Sequence, residues 1–224
     1  MLLIHGMWGS PIQWNEFINY FKDREIKAVA IEYKKKNNAS FMDYVKEVAK
    51  VARGEIIIGH SMGGLIVQKV AEIVDIRAGI AIGSAPPRGI KFNNIGLTIH
   101  ALRYLPSIIV RKPFTPSYKF IRKYLLNCID EKRARQVYES LLPESPIAAY
   151  EIFMNKIDVD ANKIKSPLFF MAGKNDKVAP PELEEKIAKK YNAKLSLYEG
   201  CHWIFDNPYE IGRKIIKFIG EIEI

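Results

Sequence analysis

The chain has 224 residues, which fits one domain around a single core, and its 48% hydrophobic content excludes a disordered chain. No apolar run reaches the roughly 20 residues of a membrane-spanning helix, and two cysteines, Cys128 and Cys201, are too few for a disulfide framework and read as small buried thiols. The formal charge of +9 sits within residues 88–135, where eleven Lys or Arg face two acids, so the rest of the chain is close to neutral.

The opening run, residues 2–5, is apolar and of strand length. It lacks the charged n-region of a secretory leader, so the expected location is the cytoplasm. The turn that follows, His5-Gly6-Met7-Trp8-Gly9, combines a glycine that permits close approach with a backbone N–H at Met7 that is free to point at a ligand. Residues 28–32 form a second strand-like run. Phe41, Val45, Val48 and Ala52 then line one face of a helix.

Residues 55–58 are a third buried run, and directly after them stands Gly59-His60-Ser61-Met62-Gly63-Gly64. A helical pattern with Ile66, Val70 and Ile73 on one face follows. This is G-x-S-x-G in its strand–turn–helix setting. A serine there must turn sharply to lift its Oγ above the sheet, and the flanking glycines lack the Cβ atoms that would collide. The helix N-terminus beneath it favours developing negative charge. Ser61 is therefore the candidate nucleophile, with the N–H groups of Met62 and Met7 as the two oxyanion donors.

After a fourth run at 78–82 the alternation breaks. Residues 88–144 read as short helices interrupted by Pro106, Pro113 and Pro116, with no buried strand. An insertion after a strand lies at the carboxyl edge of a parallel sheet, so the segment reads as a helical lid. Trp8, Leu102, Phe114 and Tyr118 are its candidate pocket side chains, against the plainer reading that they pack the lid helices. The core resumes with a helix near 147–155 and a strand at 168–172.

That strand leads into Gly173-Lys174-Asn175-Asp176, and a last run at 194–198 leads into Glu199-Gly200-Cys201-His202-Trp203. Both loops reach the edge that carries Ser61. A serine needs a base, and the base needs an acid that fixes its tautomer. His202 is the candidate base, with His5 its rival, and Asp176 the candidate acid, with Asp206 its rival near the start of a last helix marked by Pro208, Ile211, Ile215 and Phe218.

With these parts in place the chain resembles the esterase/lipase-like branch of the α/β-hydrolase superfamily, through His5-Gly6, the elbow at 59–64, the acid loop at 173–178 and Gly200-Cys201-His202. The resemblance implies an α/β fold with a mostly parallel sheet flanked by helices. It implies nucleophile, acid and base roles for Ser61, Asp176 and His202, and an acyl-enzyme route for carboxylic esters. Relatives place one or two further strands before the one that ends in His-Gly. Here that strand starts at Met1, so a sheet of about six parallel strands is expected. A serine nucleophile argues against the dehalogenase and epoxide hydrolase branches, which use an aspartate.

Other acyl or C–C chemistry on the same triad, or a non-catalytic ligand-binding protein of this fold, are the rival readings. No metal or nucleotide motif is present, so no cofactor is implied. The expected partner is a small-molecule ester. The basic segment reads first as a solvated face and second as an attraction to anionic substrates or surfaces; no nucleic-acid recognition motif accompanies it. Only three Gln and many charges suit a heat-loving source, which a mesophilic melting temperature would contradict.

Overall fold

The structure, a computed structural model, describes residues 1–33, 38–92, 96 and 103–222. Six strands form one parallel sheet: β1 (Leu2–Ile4), β2 (Val29–Ala30), β3 (Ile56–His60), β4 (Ala78–Ile82), β5 (Leu168–Gly173) and β6 (Lys194–Tyr198), in the order β2-β1-β3-β4-β5-β6. The expected trimmed sheet is thus observed. The edge strand β2 is three residues shorter than its apolar run, β1 ends one residue before its own, and β3 starts one residue later than expected and runs on to His60.

Successive residues of a strand face opposite sides of the sheet, and each side has its own helices. Ile57, Ala81 and Phe170 pack under α2 (Phe41–Ala52), α3 (Met62–Ile73) and a later helix at Pro181–Lys190. Ile58, Ile80 and Met171 pack under α1 (Asn15–Lys22) and the C-terminal helix at Pro208–Ile222. Helix α2 starts at a capping box in which Ser40 Oγ accepts from the Asp43 N–H and the Asp43 carboxylate accepts from the Ser40 N–H. Its predicted stripe is fully buried; in α3, by contrast, Ile73 is half exposed at the helix end, where the stripe runs out of core.

Between β4 and β5 the described residues form α4 (Leu105–Ile109), α5 (Tyr118–Tyr124), α6 (Glu131–Glu139) and α7 (Pro146–Phe153), with a single isolated bridge between Phe114 and Glu144. The two helices that complete the series are α8 (Pro181–Lys190) and α9 (Pro208–Ile222). A third apolar cluster joins this inserted segment to the sheet edge through Trp8, Phe114, Phe120, Ile121 and Val137. Among the described residues no helix is long and apolar enough to cross a membrane.

The cysteines correct the sequence reading. Cys128 and Cys201 form a disulfide, with Cα atoms 5.7 Å apart and 73 positions apart in sequence. Spacing does not reveal such a pair, because the fold alone brings the inserted segment against the loop after β6.

Candidate active site

Four strand ends open on the edge that carries the site. The loop after β1 brings Met7 there, the turn after β3 brings Ser61, and the loops after β5 and β6 bring Asp176 and His202. Ser61 takes a left-handed φ of 57°, the strain expected of a residue forced through a sharp turn. Its N–H donates to the Ile82 carbonyl at 3.0 Å, which ties the elbow to β4. A Cβ on Gly59 would fall on the carbonyl oxygen of Gly63, and one on Gly6 would stand 2.9 Å from the Ser61 Cβ. Glycine is required at both places for chain to pass chain.

His202 Nε2 lies 2.9 Å from Ser61 Oγ, and its Nδ1 lies 2.8 Å from Asp176 Oδ2. The second Asp176 oxygen accepts the N–H groups of Val178 and Ala179, both at 2.8 Å. With the carboxylate as acceptor, Nδ1 carries the proton, and Nε2 is left to accept from the serine hydroxyl. The three residues that the sequence grouped are therefore in contact, in the required order.

Neither rival stands in their place. His5 is turned to the far side, stacked on Tyr33 with its Nδ1 2.9 Å from the tyrosine hydroxyl. Asp206 is paired with Arg133 at 2.7 Å.

Ser61, Met7 and Met62 share a small pocket of about 50 Å³. Its wall is apolar and includes Trp8, Phe120, Leu125, Leu141 and Trp203. Of the candidate pocket side chains, Trp8 is in this wall, whereas Phe114 and Tyr118 are not among the lining residues. Phe114 is buried against Tyr104, ring centroids 5.0 Å apart, and its carbonyl accepts from Trp8 Nε1 at 3.1 Å. Tyr118 packs edge-on against Tyr138 beneath Arg135. Both satisfy the plainer reading of aromatics that pack helices together. Leu102 lies outside the described residues. Among the described residues no group of three His, Cys, Asp or Glu could hold a metal ion.

Two side chains at this site escaped the sequence reading. His60, next to the nucleophile in sequence, donates from Nε2 to the His202 carbonyl at 2.8 Å. Burial first, and the neighbouring His202 second, hold it well below the ordinary histidine value, so it stays neutral. Glu144 is fully buried and accepts from the Tyr44 hydroxyl at 2.7 Å, the Ser145 N–H at 2.9 Å and the Trp8 N–H at 3.3 Å. It stands between Pro143 and Ser145-Pro146. Nothing local marks it as the anchor of the loop after β1.

The sequence matches the alpha/beta hydrolase family over residues 1–211. A comparison with curated proteins finds no match. Several solved structures are similar throughout. An extracellular alpha/beta-hydrolase from a Paenibacillus species has a TM-score of 0.77 at 18% identity, covering 96% of this chain and 97% of its own. A monoacylglycerol lipase from Paleococcus ferrophilus has a TM-score of 0.77 at 20% identity, covering 99% of this chain and 93% of its own. A structure from work on the carboxylesterases of Nitrososphaera gargenis has a TM-score of 0.74 at 18% identity, covering 99% and 90%. At these identities the likeness is one of fold.

Proposed function

Since the chain belongs to the α/β hydrolase family, we propose that it is a serine hydrolase of carboxylic esters working through an acyl-enzyme. The observation that carries this reading is the unbroken contact from Ser61 Oγ through His202 to Asp176. Two of the similar structures bear names of ester hydrolases, a monoacylglycerol lipase and carboxylesterases, which agrees with it.

In this reading His202 Nε2 takes the Ser61 proton as Oγ attacks the ester carbonyl. Asp176 stabilises the imidazolium. The oxyanion is received by the N–H groups of Met7 and Met62, each worth roughly 3 kcal/mol of barrier in such sites. His202 then protonates the leaving alcohol, and on the return passage it deprotonates the water that releases the acid. The inserted segment, residues 88–144, acts as the lid, supplying Phe120, Leu125 and Leu141 to the acyl wall.

A pocket of about 50 Å³ has room for only a few waters by the same measure, so short acyl groups fit without displacing the lid. The proposed location is the cytoplasm. A disulfide there is unusual outside hyperthermophiles, where intracellular disulfides are common, so the location and the heat-loving composition stand together.

The test is hydrolysis of p-nitrophenyl esters from acetate to palmitate by the native chain and by Ser61→Ala. Turnover should be highest for the shortest chains and fall at least ~10³-fold in the variant, the scale of losing a triad member. A folded native chain with no turnover across the series would transfer the triad to another acyl or C–C substrate.

A further inference from the structure

Three stretches meet at the outer edge of the site: the acid loop before Asp176, the base loop before His202, and residues 125–133 of the inserted segment. They are joined by Asn127 Nδ2 donating to the Asn175 carbonyl at 3.0 Å, by the Trp203 N–H donating to the Leu125 carbonyl at 3.1 Å, and by the Arg133–Asp206 ion pair. The one covalent tie is Cys128–Cys201, and Cys201 immediately precedes His202. Its two ends differ in access. Cys201 is fully buried, whereas Cys128 is exposed. A surface groove of about 660 Å³ runs past Cys128, lined also by Asn127, Asn175, Lys174 and Lys177 and by the acids Asp176 and Glu182.

We propose that Cys128–Cys201 is a thiol-exchange site, open to a small dithiol at Cys128, whose reduction releases the base loop and lowers the reactivity of Ser61. The proposal rests on Ser61 being the base-activated nucleophile described above.

The groove sets the direction of exchange. A thiolate of the dithiol attacks the Cys128 sulfur from the groove, the bond to Cys201 breaks, and the Cys201 thiolate leaves. The dithiol's second thiolate then attacks its own sulfur in the mixed disulfide and releases the Cys128 thiolate. The dithiol is oxidised to its cyclic disulfide, two electrons reduce the cysteine pair, and the two thiol protons end on Cys128 and Cys201.

After reduction the base loop keeps, besides the contacts of His202 with Asp176 and Ser61, the Asn175 N–H on the Gly200 carbonyl at 2.9 Å, the Tyr198 hydroxyl on the Cys201 carbonyl at 3.3 Å, His60 on the His202 carbonyl at 2.8 Å, and the Trp203–Leu125 bond, all noncovalent. The tie to the inserted segment then depends on one backbone hydrogen bond, the packing of Trp203 on the third apolar cluster, and a solvent-exposed ion pair that adds little. Leu125 and Trp203 also belong to the pocket wall, so the same release loosens the acyl side of the site.

The experiment uses a fluorophosphonate probe, which reports an activated serine without assuming a substrate. Labelling rates are measured for the native chain, for the native chain in dithiothreitol, and for Cys128→Ser/Cys201→Ser, with thiol titration and near-ultraviolet circular dichroism alongside. Reduction should expose two thiols and slow labelling by about tenfold, within the range expected when a reacting group is misplaced by a fraction of an ångström to an ångström. Reoxidation should restore the rate, and the double variant should label slowly in either medium. Two titrated thiols with an unchanged rate, no thiols from the folded chain, or a slowing that tracks loss of the circular dichroism signal would each overturn the proposal. Absence of labelling in the oxidised native chain would instead overturn the hydrolase reading, and this proposal with it.

Discussion

Glu184 lies on α8 with its side chain fully buried. Burial, and then the negative charge of Asp176, push its carboxyl well above the ordinary value of 4.5. The sign of the pH dependence follows. Below 4.5 folded and unfolded chains both hold the proton and the stabilisation is complete. As pH rises from 4.5 towards the folded value, the unfolded chain gives up the proton that the folded chain keeps, and stability falls by about 1.4 kcal/mol per pH unit. Glu184→Gln removes that slope. Urea unfolding at pH 4, 6 and 8 should show a variant close to the native chain at the lowest pH and progressively more stable above it. A difference independent of pH would mean that the folded chain carries Glu184 ionised. The residues that sequence made legible are those with local chemistry: Ser61 by its glycines, Asp176 and His202 by their places after strands. Glu184 and Glu144 were hidden because burial of a carboxylate is decided by what the fold lays over it.

At the scale of elements, the loop after β1 and the inserted segment behave as one piece. Trp8 has a left-handed φ of 58°, a strain of about 1–3 kcal/mol for a residue with a side chain. Three bonds hold it there: its N–H on Glu144, its indole N–H on the Phe114 carbonyl, and its carbonyl accepting from the Leu142 N–H at 2.8 Å. Met7, the proposed oxyanion donor, precedes it directly. The two Glu144 oxygens accept from Tyr44, Ser145 and Trp8 among their partners, and Glu144→Gln turns one of those oxygens into a donor that faces a donor. The expected cost is about 1–3 kcal/mol of stability. Since the displaced loop carries Met7, kcat on a short p-nitrophenyl ester should fall further than KM rises. A variant that loses stability but keeps kcat would show that the loop is held without Glu144. The element boundaries themselves were mostly legible, since periodicity marks strands and helices. The pocket wall was not, because whether Phe114 or Phe120 faces the cavity depends on how short helices rotate, and Pro-broken segments fix their ends but not their faces.

Across the whole molecule, the sheet order and the position of the site follow from alternating strands and helices, and these were readable. The disulfide was not, for the same reason that it matters: it joins parts that sequence keeps apart. The closed loop contains β5, α8 and β6, and so fastens the strongly cationic insertion, whose like charges favour expansion, to the C-terminal third. For a separation of 73 residues, the chain-entropy estimate of the constraint on the unfolded state is about 4 kcal/mol. In a chain of this length that corresponds to a drop of roughly 10 °C in melting temperature. Thermal unfolding of the native chain with and without reductant, and of Cys128→Ser/Cys201→Ser, should give that drop for both the reduced chain and the variant. A much smaller drop in the variant alone would trace the loss in the reduced chain to strain from two free thiols rather than to the unfolded ensemble. A drop near zero in both would mean that the insertion stays docked through the unfolding transition, so that the cross-link constrains nothing the unfolded chain would otherwise explore.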